Sequence, residues 1–181
     1  TSSVLKPLVQ QKIIKVTQSE ISRVPDLAAD VTQEPDQGLT SSQEEALKII
    51  RKEWKHPPVR PVLLYGVTGS GKTQIYMKLI EETVAAGRQA IVLIPEIALT
   101  YQTVMRFYRN FGDRVSIMNS RLSPGERYDQ MMRAKNGEVD VMIGPRSALF
   151  TPFPDLGLIV IDEEHEPTYK SEQTPRYHAR E

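Results

Sequence analysis

Gly66-Val67-Thr68-Gly69-Ser70-Gly71-Lys72-Thr73 decides the fold. It fits the pattern G-x-x-x-x-G-K-[ST] at every fixed position. The apolar run Val62–Tyr65 precedes it, and an amphipathic stretch follows that Gly87 stops. Strand, glycine-rich turn and helix in that order form a polyphosphate cradle. The glycines let backbone N–H groups turn toward phosphate oxygens. The start of the following helix adds partial positive charge. Lys72 is placed to reach the β- and γ-phosphates, and the Thr73 hydroxyl to ligate Mg²⁺. Gly66, Thr68, Gly69, Ser70, Gly71, Lys72 and Thr73 are therefore the expected ATP-binding set.

Apolar strands and amphipathic helices alternate on both sides of this loop. Ser41-Ser42-Gln43-Glu44 reads as a capping box for a helix running to about Trp54. A strand is predicted at Val62–Tyr65, a helix over 72–86, a strand at Ala90–Ile94 and a helix over 98–111. A third strand follows at Val115–Met118. Ser123-Pro124-Gly125-Glu126 opens another helix, which Asn136-Gly137 ends. Strands at Val139–Ile143 and Gly157–Ile161 complete the series. Fully apolar strands separated by helices predict an α/β fold, with a mostly parallel sheet covered on both faces.

The last strand runs into Asp162-Glu163-Glu164-His165. Carboxylates at the C-terminal end of a buried parallel strand sit where such sheets bind ligands. Asp162 is expected to hold Mg²⁺ through water, and Glu163 to act as general base on the attacking water. Lys72, Asp162 and Glu163 are the candidate catalytic residues, and Thr73 and Asp162 the candidate magnesium ligands. Gln43 can read an adenine edge with its amide. It gains weight only from lying one helix and one linker upstream of the cradle.

Composition narrows the function classes. The chain has 181 residues, with 23 basic against 23 acidic, so no net charge steers it toward nucleic acid or an anionic surface. A local patch remains compatible with that balance. Residues 102–135 hold seven basic side chains (Arg106, Arg109, Arg114, Arg121, Arg127, Arg133, Lys135) against three acidic ones (Asp113, Glu126, Asp129). Cysteine is absent, which excludes disulfides, thiolate zinc sites and a cysteine nucleophile. No apolar run is long enough to span a membrane, so no membrane partner is expected.

These segments together resemble the superfamily 2 DNA helicases, and within them the bacterial replication-restart helicases. The resemblance is carried by 39–43 (Leu-Thr-Ser-Ser-Gln), 65–73, Ile-Pro-Glu-Ile-Ala-Leu-Thr (94–100), Ser-Pro-Gly-Glu-Arg (123–127), Ile-Gly-Pro-Arg-Ser-Ala-Leu-Phe (143–150), Asp-Glu-Glu-His and Pro-Arg-Tyr-His-Ala-Arg (175–180). They span most of 39–181, which the resemblance makes an N-terminal RecA-like motor lobe. Pro95, Glu96 and Thr100 would then lie on the track that grips single-stranded DNA. Arg146 and Ser147 would form a second DNA-facing loop. Residues 165–180 resemble an aromatic-rich loop coupling DNA contact to ATP hydrolysis, with His165 as the connector. Tyr169 and Tyr177 would offer stacking faces, and Lys170 and Arg176 phosphate partners.

The resemblance implies ATP and Mg²⁺ as cofactors and no zinc, since the zinc-binding cysteines usual in the family are missing. It implies 3′→5′ unwinding of single-stranded and forked DNA, replication-restart and single-strand-binding proteins as partners, and a bacterial cytoplasmic, nucleoid-associated location. Residues 1–17 resemble the end of a winged-helix domain, and 18–38, with Pro25, Pro35 and scattered acids, read as a linker. No second lobe follows Glu181, so weak or moderate nucleotide binding and poor turnover are expected of this chain alone. Gln74 and Glu181 stand where relatives often carry glutamate and aspartate. Another DNA translocase subunit, or a nucleotide-binding docking module without turnover, would satisfy the residues without the resemblance.

Overall fold

The computed structural model describes residues 38–55, 57–172 and 174–181. The winged-helix end at 1–17, and all of the linker but Gly38, lie outside them. Eight elements are built in chain order: α1 (Ser41–Trp54), α2 (Lys72–Ala85), β1 (Gln89–Leu93), α3 (Tyr101–Phe111), β2 (Val115–Ile117), α4 (Pro124–Lys135), β3 (Val141–Gly144) and β4 (Leu156–Ile161). The four strands form one sheet in the order β2-β3-β1-β4, and every pairing is parallel. Crossing between parallel neighbours requires long connections, which α3 and α4 supply.

Alternation along β1 sorts the core. Ala90 and Val92, together with Ile94 just past the strand, face one side with Tyr76, Met77 and Ile80 of α2 and Val104, Phe107 and Tyr108 of α3. Ile91 and Leu93 face the other side, with Met142, Met118 and Ala134 of α4. Helices thus cover both faces, as the apolar strands require. α1 forms an outer layer, Leu47 and Ile50 packing on Ile75 and Leu79 of α2.

The helix starts follow local chemistry. α4 begins at Pro124 behind Ser123, whose hydroxyl accepts from the Glu126 N–H, while Glu126 accepts from the Ser123 N–H at 2.7 Å. α1 is capped one residue earlier than the sequence suggests. Thr40 and Gln43 make the reciprocal pair, with the Thr40 N–H donating to Gln43 Oε1 at 2.8 Å. Thr40 offers the same hydroxyl chemistry as Ser41, and choosing it uses Gln43 rather than Glu44 to close the box.

One predicted element does not form. Val62–Tyr65 joins no ladder among the described residues. Leu64 packs beside Leu158 of β4 in the α1–α2 cluster, whereas Leu63 and Tyr65 are 70% and 93% exposed. An apolar, β-branched run signals extended backbone, but a strand also needs an edge in register, and among the described residues none pairs with it. β4 accordingly lies at the end of the sheet, with Ile159 44% exposed.

Candidate nucleotide site and DNA-facing surface

The phosphate loop bends through left-handed glycines, Gly69 at φ +80° and Gly71 at φ +81°. Both values favour a residue without Cβ. At Gly71 a side chain would also displace a neighbour, because a Cβ there would stand 2.1 Å from Gln43 Nε2. Lys72 turns back over the loop and donates from Nζ to the carbonyls of Gly66 at 2.8 Å and Val67 at 3.1 Å. A phosphate entering the loop would take over this ammonium, so the lysine is pre-positioned at the cradle.

Gln43 is 7% exposed and touches the loop it was expected to serve. Its Nε2 donates to Gln74 Oε1 at 2.9 Å and, more loosely, to the Ser70 carbonyl at 3.5 Å. Its Oε1 already caps α1. The amide is therefore oriented from both ends, and reading an adenine edge would require it to exchange its bond to Gln74. Gln74 has a role that motif spacing did not reveal.

The two halves of the site meet through Tyr76, one helical turn beyond Thr73. Tyr76 is 6% exposed, and its phenol donates to Asp162 Oδ2 at 3.0 Å. Tyr76 thus ties the helix that the phosphate loop opens to Asp162 at the end of β4. Burial, followed by the nearby Asp162 charge, pushes the Tyr76 phenol well above its ordinary range. Asp162 Oδ1 accepts from the Glu163 N–H at 3.0 Å. Glu163 is exposed and sits at φ +48°, a left-handed conformation uncommon for a side-chain-bearing residue and one that recurs at functional sites.

The cradle and acids fit magnesium nucleotide. Mg²⁺ keeps several waters and leans on one or two carboxylates plus phosphates. Among the described residues no group of three or more His, Asp or Glu is disposed to hold a metal unaided. Thr73 and Asp162 are the hydroxyl and carboxylate that would hold such an ion with the phosphates.

The surface residues divide. Glu96 and Thr100 are exposed, Glu96 accepting from the Ser120 N–H at 3.2 Å and Thr100 capping α3. Pro95 is buried and supports the track rather than forming its surface. Ser147, Lys170 and Arg176 are exposed. Arg146 binds the protein's own tail, donating to the Thr168 carbonyl at 3.0 Å and to the Lys170 carbonyl, with its guanidinium carbon 5.4 Å from the centre of the Tyr177 ring. Tyr177 is half-buried and meets Phe150 edge-on at 5.1 Å. Phe150, 60% exposed, is an aromatic face missed because it follows an apolar run. In the basic stretch 102–135, Arg114 pairs with Asp140, Arg127 with the Ser120 carbonyl and Arg133 with Gln130.

One expectation needs correction. Tyr169 is 1% exposed, and its ring lies in the sheet core beside Leu93, so it offers no stacking face. A tyrosine in a polar, proline-broken tail looks like a surface ring, yet Leu93, Ile91 and Ala179 enclose this one. His165, expected to connect acids and tail, is 70% exposed, and its nearest ionic neighbour is Glu163 at 3.7 Å. The tail instead folds back as a hairpin, the Ser171 N–H donating to the Tyr177 carbonyl and the Ala179 N–H to the Tyr169 carbonyl.

The phosphate loop, which no strand of the sheet precedes among the described residues, and the Asp-Glu pair at the end of β4 are the parts of a nucleotide-binding lobe, joined here through Tyr76. The chain matches the DEAD/DEAH box helicase family over residues 40–179 and belongs to it. Among curated proteins it is similar to "Replication restart protein PriA" of Bacillus subtilis, 45% identical over 181 residues, all of this chain and 22% of that protein. The proteins of the same name from Synechocystis and Chlamydia trachomatis are 38% and 37% identical, with 21% and 24% of their lengths covered. The chain spans about a fifth to a quarter of these relatives.

Proposed function

We propose that this chain is the ATP-binding lobe of an ATP-dependent 3′→5′ DNA helicase acting in replication restart and primosome assembly at stalled forks. The observation that carries the proposal is the 3.0 Å bond from the Tyr76 phenol to Asp162, which ties the helix opened by Lys72 and Thr73 to the acid pair. Membership of the helicase family and the names of the relatives support the DNA-directed part. Lys72 would bind the β- and γ-phosphates, and Thr73 and Asp162 would hold magnesium, which supplies charge neutralisation at the polyphosphate. Glu163 would accept the proton of the attacking water. Gln43 would orient the base. Single-stranded DNA would cross the face bearing Glu96, Thr100, Ser147, Lys170, Arg176 and Tyr177. Single-stranded and forked DNA are the proposed substrates. Replication-restart and single-strand-binding proteins are the proposed partners, and the bacterial nucleoid the proposed location.

The test is ATP turnover by the intact protein with and without single-stranded DNA, together with unwinding of duplexes carrying a 3′ or a 5′ tail. DNA-stimulated turnover and unwinding that follows one strand polarity support the proposal. Nucleotide binding without turnover would favour a docking module instead.

A further inference from the structure

Asp162 follows the last residue of β4, and its carboxylate is held by donors from two segments. The Tyr76 phenol donates to Oδ2 at 3.0 Å, and the Glu163 N–H donates to Oδ1 at 3.0 Å. The backbone is fixed separately, the Asp162 N–H donating to the Leu93 carbonyl at 2.9 Å. The side-chain torsions are the freedom that remains, and the two donors remove it. Each carboxylate oxygen still keeps an acceptor site. Both donors are neutral, so they aim the carboxylate without cancelling its charge. A carboxylate held in this way is oriented for a cation.

Of the two donors, Tyr76 is the one that brings in another part of the fold. Its ring belongs to the core cluster with Val92, Val104 and Phe107, which fixes where the hydroxyl stands. A ring wanted only for packing could be phenylalanine, because a buried phenol costs free energy unless it is bonded. Here it is bonded to a carboxylate 86 residues further on, and hydrogen bonds to an ionised partner are the stronger kind. Its place on α2 matters as well. Thr73 stands three residues before Tyr76 on the same helix, so the two are neighbours on one helix face. The helix that the phosphate loop opens thus carries both the hydroxyl proposed as a magnesium ligand and the hydroxyl that holds the carboxylate of the other ligand.

We propose that Tyr76 is the positioning residue that aims Asp162 at nucleotide-bound magnesium, and so sets how much the ion strengthens nucleotide binding. The proposal rests on the reading of the chain as a magnesium-nucleotide lobe. Removing such an outer partner of a metal ligand typically weakens metal binding by ~10–100-fold.

The test compares the intact protein with its Tyr76→Phe variant, which keeps the ring and removes the hydroxyl. A non-hydrolysable fluorescent ATP analogue is titrated once with saturating Mg²⁺ and once in EDTA. The readout is the ratio of the two affinities. Loosened packing would weaken both titrations alike and leave the ratio unmoved, whereas a misaimed carboxylate acts only where the ion is present. Tyr76→Phe should lower the ratio by ~10-fold. A fall of less than ~3-fold, beside a wild type whose binding depends on Mg²⁺, overturns the proposal and leaves the nucleotide reading standing. A wild type that binds the analogue equally well in EDTA, or does not bind it, refutes that reading itself and the proposal with it. Asp162→Asn supplies a second variant, because it removes the charge that Tyr76 aims. Adding Tyr76→Phe to it should change the ratio by less than about 2-fold, as expected of two residues acting through one group. A further large fall in the double variant would place the action of Tyr76 elsewhere and overturn the proposal.

Discussion

Replacing Gly71 by alanine tests the fit between α1 and the phosphate loop. Two penalties act together. At φ +81° a Cβ costs roughly 1–2 kcal/mol. The Cβ would also stand 2.1 Å from Gln43 Nε2, so the amide must swing away and release its bond to Gln74. That bond is worth about 0.5–1.5 kcal/mol. Stiffening the unfolded chain returns about 0.4–1 kcal/mol. The net loss is about 0.5–3 kcal/mol. Gly137→Ala is the control, because Gly137 has φ +74° but nothing near its Cβ position. It should lose about 0.5–1 kcal/mol from backbone strain alone. Urea-unfolding midpoints of the two variants separate the terms, and titration with a fluorescent ATP analogue should show at least a ~10-fold weaker site for Gly71→Ala only. Equal destabilisation of the two variants with unchanged nucleotide affinity would refute the close approach of Gln43.

Further expectations concern the acids and the buried phenols. Lys72→Ala and Asp162→Ala should each lower ATP turnover of the intact protein by roughly 10²-fold or more while single-stranded DNA affinity stays largely intact. Steady-state hydrolysis and fluorescence anisotropy check this, and near-normal turnover in Lys72→Ala would reject the loop's role. Burial raises the phenols of both Tyr76 and Tyr169, with the Asp162 charge second. A raised folded-state value stabilises the protein fully below the unfolded tyrosine value of about 10 and is lost as pH rises beyond it. Stability should therefore fall on the alkaline side, with these two rings ionising as the chain unfolds. Absorbance titration of tyrosinate follows it, and Tyr169→Phe should shift the alkaline midpoint upward.

How much of this was legible in the sequence differs by element. α2, α3, α4 and strands β1 to β4 follow from apolar periodicity and caps, because each buries its pattern within a layer formed by near neighbours. The segment 62–65 did not follow, since its pattern specifies extended backbone but not an edge to join. At the site, the phosphate loop and Asp162 were legible because local backbone chemistry fixes both. Tyr76, Gln74 and Tyr169 were not. Their roles come from packing between segments as far apart as 86 residues, as in the Tyr76–Asp162 bond. Pro95 and His165 show the converse: motif membership marked them, but burial and exposure decide what each can touch.

The outer edge of β4 carries a practical consequence. Among the described residues its outer edge has no ladder partner, and the exposed Ile159 adds a sticky side chain to it. Such a border is a template for foreign strands. Concentrated solutions of the chain on its own should therefore self-associate edge to edge, and a lysine in place of Ile159 is the kind of gatekeeper that would hold copies apart.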